Sequence, residues 1–306
     1  MTLSEAAEEF LLYIEKVRAF SGATVLAYRN DLCQLVRSLD GRRAALEDVT
    51  PADLRGCIAR LSALRRSNAS VNRFIAAVRS LFAYCRKYGH IERNPALELR
   101  TVKLGKTLPR FMTEAEVDEL CEMPDRAGIL WPARDKAIFE MLYSSGCRVA
   151  ELAGLNFGDF ADGWGKALVT GKGGKQRYVY FEDDARSALQ AYLSERRMRE
   201  TAQGGSSSWR RSDAVLVNQR GARLTTQGIG YILSRYSGVE GTGRHVNPHA
   251  FRHTFATSML GNGADVRVVQ EMLGHASLST TQRYTHITTA RLIDVYNKAH
   301  PHGGTK

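Results

Sequence analysis

The sequence predicts a mainly α-helical protein of two domains, with one small β-hairpin in the second. The chain has 306 residues, enough for two domains that each bury their own core. Apolar residues recur at helical spacing through the first hundred residues, and no strand-like alternation interrupts them. The next segment, TVKLGKTLPRF, is polar, basic and broken by glycine and proline, which is typical of a linker. We therefore expect a helical domain at 1–100, a linker at 101–111 and a second domain at 112–306.

Four helices and a short fifth are predicted in the first domain. The second helix begins near Ser21. The third begins at Thr50-Pro51, where threonine can cap the helix and proline fits its first turn. The fourth ends at Gly89, and a short fifth helix is expected after Pro95.

A β-hairpin is predicted between helical segments of the second domain. Residues 166–170 and 177–181 are rich in β-branched and aromatic types and flank the turn GKGGK. This turn superficially resembles a phosphate-binding P-loop, but Val169 stands where the first glycine is required and Gln176 where Ser or Thr is required. The sequence therefore predicts Lys172 at the hairpin tip, where its ammonium group can reach an oxygen in a groove.

The charge balance points to a polyanionic partner. Lys and Arg number 43 against 32 Asp and Glu, the net charge is +11, and the pI is about 9.6. Such a balance favours nucleic acid first and an anionic membrane surface second. No apolar run reaches membrane-spanning length, and the N-terminus MTLSEAAEEF is acidic, unlike a signal peptide. The five cysteines are scattered without CxxC spacing, which predicts a reduced cytosolic chain without disulfides or a zinc cluster.

Polar residues at two helix starts of the first domain are candidates for DNA contacts. SGATVLAYRND begins the second helix with hydroxyl groups, and ALRRSNASVNRF leads into the fourth with arginines and no acidic residue. Hydroxyl and guanidinium groups at helix starts are the usual set that contacts phosphate. A solvated basic face is the alternative interpretation. The candidates are Ser21, Thr24, Tyr28, Arg65, Arg66, Arg73 and Arg79.

The segment NPHAFRHTFAT carries two histidines and an arginine on one helix face. Pro248 suits a first helical turn, and His249, Arg252 and His253 follow at i, i+3 and i+4. A zinc-binding helix would have a glutamate between histidines at this spacing, but Ala250 fills that position. A permanently charged arginine also lies beside the second histidine. The pattern therefore favours an anion over a metal ion.

Two further segments contain candidates that are weak when taken singly. In SSGCRVAELAGL, Glu151 follows Arg148 by three residues and can orient its guanidinium group, although such a pair is more often a surface ion pair. In MLGHASLSTTQRYTH, His275 and Tyr284 can both face inward. A single tyrosine near a C-terminus is usually a core or surface residue, and Tyr296 competes with Tyr284 for any special role.

The combination of these motifs, in this order, resembles the tyrosine recombinase family. The resemblance covers nearly the full chain, because the first hundred residues are similar to the family's helical, SAM-like core-binding domain. SGATVLAYRNDL and VYNKAHP resemble the Xer branch in particular. One departure is YVYF in the second hairpin strand, where family members commonly have a proline. The family's catalytic positions match Arg148, Lys172, His249, Arg252, His275 and Tyr284.

The resemblance implies a two-domain clamp that encloses DNA, with transesterification at a phosphodiester. Negative charge builds on the non-bridging oxygens as phosphorus becomes pentacoordinate, and Arg148, Arg252 and His275 would donate hydrogen bonds to them. Glu151 would orient the guanidinium group of Arg148. For His253 we expect a packed position next to the site and no direct contact with the phosphate.

The same resemblance assigns the proton transfers. Tyrosine has a pKa of about 10, so Tyr284 as the nucleophile needs a base, which would be His249. Lys172 would protonate the leaving 5′-oxygen. The product would be a 3′-phosphotyrosyl intermediate, which conserves the bond energy for rejoining. No metal ion and no cofactor are expected, because guanidinium groups supply the positive charge.

The resemblance also implies partners and a biological outcome. The substrate would be a double-stranded DNA recombination site bound by a homo-tetramer, or by a hetero-tetramer with a paralogous recombinase. The outcome would be resolution of chromosome or plasmid dimers through a Holliday junction, with activation by an FtsK-type DNA translocase. The protein would work in the cytoplasm, at the nucleoid. Three alternatives stay open: the integrase of a mobile element, a type IB topoisomerase, and a DNA-binding architectural protein without catalysis.

The C-terminal segment TTARLIDVYNKAHP predicts a short helix that ends at Pro301. Its apolar residues have helical spacing, which is typical of a helix packed on its own domain. The family resemblance suggests instead that the helix docks into a neighbouring protomer on DNA. The apolar positions are Leu292, Ile293, Val295 and Tyr296.

Overall fold

The computed structural model divides the chain into two units, Met1–Thr107 and Leu108–Lys306, each with its own hydrophobic core. It describes residues 1–39, 45–103, 112–202, 212–237, 248–274 and 289–301. The side chains of Lys172, Thr289, Ala290 and Arg291 are not part of that description. Among the helices of these ranges, none combines the length and the apolar character that a membrane crossing requires.

Four α-helices lie in the described part of the first unit, and a hydroxyl cap explains where each begins. Thr2, Ser21, Thr50 and Ser67 each accept a hydrogen bond from the backbone N–H three residues on, which satisfies a donor that the first helical turn leaves unpaired. The buried faces of all four meet in one core. The helices are α1 (Leu3–Lys16), α2 (Gly22–Leu39), α3 (Pro51–Ala63) and α4 (Asn68–Lys87).

The predicted fifth helix after Pro95 is wrong. Residues 95–98 form a hydrogen-bonded turn in the structure. The Asn94 side chain accepts a hydrogen bond from the Ala96 N–H (2.9 Å), and the Asn94 carbonyl accepts one from the Leu97 N–H (3.4 Å). Asparagine offers the backbone this local alternative to a helix, and here the alternative prevails.

The second unit is built around α6 (Pro132–Ser145), which is buried on nearly every face. Four of its neighbours are α5 (Glu114–Ala127), α7 (Val149–Gly154), α8 (Asp183–Ala202) and α10 (Pro248–Gly261). The other α-helices described in this unit are α9 (Thr226–Ser237), α11 (Val266–Leu273) and α12 (Thr289–Ala299). Because α6 is enclosed, the segment that begins at Gly146 starts from a rigid element.

A three-stranded antiparallel sheet lies beside these helices in the order β1-β2-β3, with β1 at Phe160–Ala161. β2 (Lys166–Thr170) and β3 (Gln176–Tyr180) pair from Lys166 opposite Tyr180 to Thr170 opposite Gln176, which confirms the predicted hairpin. Residues 172–174 form the turn, and its two glycines have φ of +78° and +75°, a region that L side chains rarely adopt. The backbone of Lys172 is thus at the hairpin tip.

The C-terminal helix α12 packs on its own unit, which is the first of the two interpretations above. Tyr296 is buried against α10 and the hairpin, with its ring next to those of Tyr180 and Phe255. Its hydroxyl donates to the Ser144 carbonyl (2.9 Å) and lies 2.8 Å from the Ser144 hydroxyl, at the end of α6. One residue after α12, the buried His300 contacts the buried carboxylate of Glu182 through its Nδ1 atom. The helix is therefore anchored at two points.

We predict that Tyr296→Ala lowers the free energy of unfolding by about 3–5 kcal/mol, because it removes a buried aromatic ring and leaves a cavity. Asn297→Ala, at the next and exposed position of the same helix, should change it by less than about 0.5 kcal/mol. Urea denaturation of the full chain measures both. Equal small effects would mean that α12 is not docked on its own unit in solution.

Candidate active site

The α6–α7 junction sets the position of Arg148. Gly146 ends α6 with φ +55°, and a Cβ there would lie 2.4 Å from the Phe255 ring, so both the turn and the close approach require glycine. Arg148 then caps α7 with extended backbone angles. Its backbone N–H donates to Oε2 of Glu151 (2.8 Å), three residues on. The first turn of α7 therefore holds Arg148 and Glu151 together.

Glu151 is a buried carboxylate surrounded by donors. Its side chain is 2% exposed, and its two oxygens accept from the Arg148 backbone, from Nη1 of Arg148 (2.8 Å) and from both Nη atoms of Arg177 (2.9 and 2.8 Å). Burial alone would raise the pKa of this carboxyl. The hydrogen bonds from Arg177 and Arg148 outweigh burial and lower the pKa to about 2. Glu151 is therefore an anion at any physiological pH.

Arg252 extends from α10 toward the same place. Its Nη1 donates to the Gly146 carbonyl (2.8 Å) and its Nη2 to the Leu273 carbonyl (2.5 Å). Burial lowers the pKa of its guanidinium group to about 10, and repulsion by Arg148 and Arg177 adds to the effect. The group is still cationic at neutral pH, but it occupies an electrostatically unfavourable position that an anion would relieve.

Three guanidinium groups share the C-terminal end of α11. Arg177 donates through Nε to the Met272 carbonyl (2.7 Å), Arg252 to that of Leu273, and Arg148 through Nη2 to that of Gly274 (3.3 Å). The last carbonyls of a helix have no partners within it and carry the negative end of its dipole. We call Arg148, Arg177 and Arg252, together with Glu151, the arginine cluster.

The hairpin lies directly against this cluster. A Cβ added to Gly171 would stand 3.2 Å from Oε1 of Glu151, so any larger residue would require that carboxylate to shift by a few tenths of an ångström. The Gly171 N–H donates to the Lys175 carbonyl (2.7 Å) and closes the turn. Lys172 is the next residue, so the backbone of the proposed acid lies beside the cluster.

The two histidines of α10 occupy different environments. His249 is exposed and lies one turn before Arg252 on the same helix. His253 is half-buried, and its carbonyl accepts from the Thr257 hydroxyl (2.9 Å). Both assigned roles therefore stay predictions, although His249 has the exposure that a group acting on a bound substrate requires.

Two of the predicted catalytic residues, His275 and Tyr284, lie outside the described residues. His275 follows Gly274 in the sequence, and Gly274 is the last described residue at the end of α11. In the ranges that the structure describes, no group of three or more His, Cys, Asp or Glu side chains is arranged to hold a metal ion.

In the first unit, two of the predicted DNA contacts have internal partners. Arg73 forms a two-pronged ion pair with the buried carboxylate of Asp31 on α2 (2.8 and 3.0 Å), and Arg79 donates to the Leu99 carbonyl. Arg65 and Arg66 are exposed at the α3–α4 connection. The first two arginines therefore have a role in the fold, whereas the second two project from the surface.

The hydroxyl group of Ser21 caps α2, as its sequence position suggests. It accepts from the Thr24 N–H (3.3 Å) and lies 2.8 Å from the Thr24 hydroxyl, while Tyr28 is half-buried between Phe10 and Phe20. Their contact with DNA stays a prediction.

Arg177 is the site residue that sequence reasoning missed. Its guanidinium group contacts Glu151 and Met272, which are 26 and 95 positions away in the chain, so no short-range spacing in the sequence indicates these contacts. One signal was available. Arg177 shares the inward face of β3 with the buried Val179, and an arginine in an inward strand position is rare unless it is paired.

Comparison with known families agrees with this architecture. Residues 110–291 match the phage integrase family, and residues 7–89 match the phage integrase N-terminal SAM-like domain. The two matches cover most of both units.

Relatives and solved structures extend the match over the whole chain. The chain is 40% identical to tyrosine recombinase XerC of Treponema denticola and 36% identical to tyrosine recombinase XerD of Oceanobacillus iheyensis, covering 98% of this chain each time and 100% and 99% of those proteins. The structure of XerH site-specific recombinase bound to difH substrate has a TM-score of 0.62 at 25% identity and covers 95% of this chain and 83% of that one. A lambda integrase dimer bound to a core site has a TM-score of 0.68 at 18% identity, covering 94% and 100%, and shows the shared fold. The chain therefore belongs to the phage integrase family and is a site-specific tyrosine recombinase of the Xer type.

Proposed function

We propose that the arginine cluster binds the scissile phosphate of a DNA strand, with Arg148 and Arg252 donating to its non-bridging oxygens. The observation that carries this is the convergence of two guanidinium groups, from α7 and α10, on one end of α11. Both arginines are half-buried, and charge-assisted hydrogen bonds become stronger where water is partly excluded. The lowered pKa of Arg252 supports the same assignment, since a phosphate would offset the repulsion among the arginines.

The proposed chemistry uses side chains alone. The Tyr284 hydroxyl loses its proton to His249 and attacks phosphorus, the phosphorus–O5′ bond breaks, and the 5′-oxygen takes a proton from Lys172. His275 adds a hydrogen bond to a non-bridging oxygen. In rejoining, a 5′-hydroxyl of another strand attacks the phosphotyrosine and releases Tyr284. Charge builds on phosphoryl oxygens in both steps, so the arginines act twice.

We propose that the chain assembles as a tetramer on paired DNA sites and resolves chromosome or plasmid dimers. Relatives named XerC and XerD at 36–40% identity support the Xer outcome over integration, and one solved structure of the same fold is a lambda integrase tetramer bound to a Holliday junction. Both paralogue names occur among the relatives, so a hetero-tetramer with a second recombinase is part of the proposal. The proposal also includes activation by an FtsK-type DNA translocase and a location in the cytoplasm, at the nucleoid.

We predict that Tyr284→Phe binds DNA with wild-type affinity but forms no covalent complex, because the change removes the attacking oxygen and nothing else. The probe is a duplex that the wild-type chain selects from a random pool, and denaturing gels report the covalent complex. Tyr296→Phe is the control and should retain covalent attachment, since Tyr296 is buried in the fold. Covalent attachment in Tyr284→Phe would move the nucleophile elsewhere.

A leaving-group test separates the proposed acid from the phosphate ligands. Lys172→Ala should slow cleavage of the normal duplex by about 10²–10⁴-fold, the usual contribution of a positioned acid. A duplex with sulfur at the 5′-bridging position needs no protonation on departure, so it should restore cleavage by Lys172→Ala and leave Arg252→Ala slow. Rescue of both variants, or of neither, contradicts the assignment.

The salt dependence of binding sorts the arginines of the first unit. Arg65→Ala and Arg66→Ala should each reduce the slope of log K against log salt by about 0.9, the value for one lost phosphate contact. Arg73→Ala should instead lower the unfolding free energy, because it leaves the buried Asp31 carboxylate unpaired, with little change of slope. If the slope is unchanged for Arg65 and Arg66, these residues form a solvated face.

A further inference from the structure

Arg177 commits three of its donors to groups of the protein around the active site. Its two Nη atoms form a fork on Glu151, and its Nε donates to the Met272 carbonyl of α11. The side chain is 14% exposed, less than half of the 34% of Arg148. The Arg177 guanidinium group therefore faces the protein, and we do not assign it a contact with the phosphate.

The first consequence concerns the orientation of Arg148. The Arg148 backbone N–H holds one carboxylate oxygen of Glu151, Oε2, and a single hydrogen bond does not fix the plane of the carboxylate. The bidentate fork from Arg177 fixes both carboxylate oxygens in one plane. One of those oxygens, Oε1, also accepts from Nη1 of Arg148. Arg177 thus determines where the Arg148 guanidinium group is held.

The second consequence concerns the end of α11. Gly274 ends α11 with φ +65°, and a Cβ there would stand 3.2–3.3 Å from three atoms of Arg177. Arg177 also donates to the Met272 carbonyl, and the Gly274 carbonyl accepts from Nη2 of Arg148. One side chain from β3 therefore touches both supports of Arg148, the Glu151 carboxylate and the end of α11.

We propose that Arg177 is a positioning residue for recombination: it acts on the Arg148 guanidinium group through Glu151 and through the end of α11. The inference rests on the proposed role of Arg148. A guanidinium group displaced by about 1 Å stabilises the transition state much less. Loss of Arg177 should therefore lower the rate of the chemical step.

The test compares Arg177→Met with Arg196→Met in the full chain. Arg196 is a matched control, because it is a buried arginine of the same unit that donates to the carbonyls of Ser212, Ala214 and Val215, away from the cluster. The substrate is a duplex selected by the wild-type chain from a random pool and nicked beside the cleavage point, so that the covalent complex accumulates. Single-turnover rates at saturating protein are normalised to the folded fraction.

Arg177→Met should slow covalent-complex formation by about 10- to 100-fold, with the Kd for the duplex unchanged within about threefold. Arg177→Lys keeps the charge without the fork and should lie between this variant and the wild type. Arg196→Met should lower the denaturation midpoint and leave the normalised rate unchanged. If a methionine variant does not fold, the comparison uses Arg177→Lys and Arg196→Lys.

Three results would overturn the inference: a wild-type normalised rate in the Arg177 variant, an equal slowing in the Arg196 variant, or a loss that lies entirely in Kd. Arg148→Ala in the same assay separates this failure from a failure of the proposed function. If Arg148→Ala cleaves normally, the assignment of the phosphate site is wrong. If it is inactive while Arg177→Met is normal, the positioning role alone is wrong.

Discussion

The ion pairs of Glu151 with Arg148 and Arg177 are the interaction on which the site depends. Three guanidinium groups meet at the end of α11, and two unit charges about 4 Å apart near a protein surface interact by about 4 kcal/mol. Without a counter-charge, this repulsion would push the side chains apart. One buried carboxylate and the end carbonyls of a helix offset part of this repulsion. The positive charge that remains uncompensated can bind a phosphate.

The surrounding fold supports this cluster with rigid elements. The buried helix α6 ends at Gly146, whose left-handed turn and contact with Phe255 set the start of α7. Gly171 and Gly274 bring the hairpin and the end of α11 against the same side chains, at distances that a Cβ would disturb. The charged groups are therefore in place before any ligand arrives, which is how a binding site avoids a reorganisation penalty at the moment of reaction.

Much of the architecture could be predicted from local sequence signals. Threonine and proline at helix starts, alternating β-branched residues around GKGGK and the order of the catalytic motifs identified the helices, the hairpin and the family. What the sequence did not show are contacts between distant residues and competing local bonds. The ion pair of Arg73, a candidate DNA contact, could not be foreseen because its partner Asp31 lies 42 residues earlier, and the Asn94 side chain formed a turn where a helix was expected. Arg177 was missed for the same reason that the Arg73–Asp31 ion pair was missed: ion pairs between residues far apart in the chain leave no periodic pattern in the sequence.

The central claim is that Arg252 and its neighbours neutralise charge on the non-bridging oxygens of the scissile phosphate. The most direct measurement is the single-turnover cleavage rate of the wild type and of Arg252→Ala on a duplex with a phosphodiester or a neutral methylphosphonate at that position. On the phosphodiester, loss of Arg252 should slow cleavage by about 10²–10³-fold, as expected for one donor to a developing oxyanion. On the methylphosphonate, which lacks one of the charged oxygens, the same substitution should have a much smaller effect. An equal loss on both substrates would contradict the account.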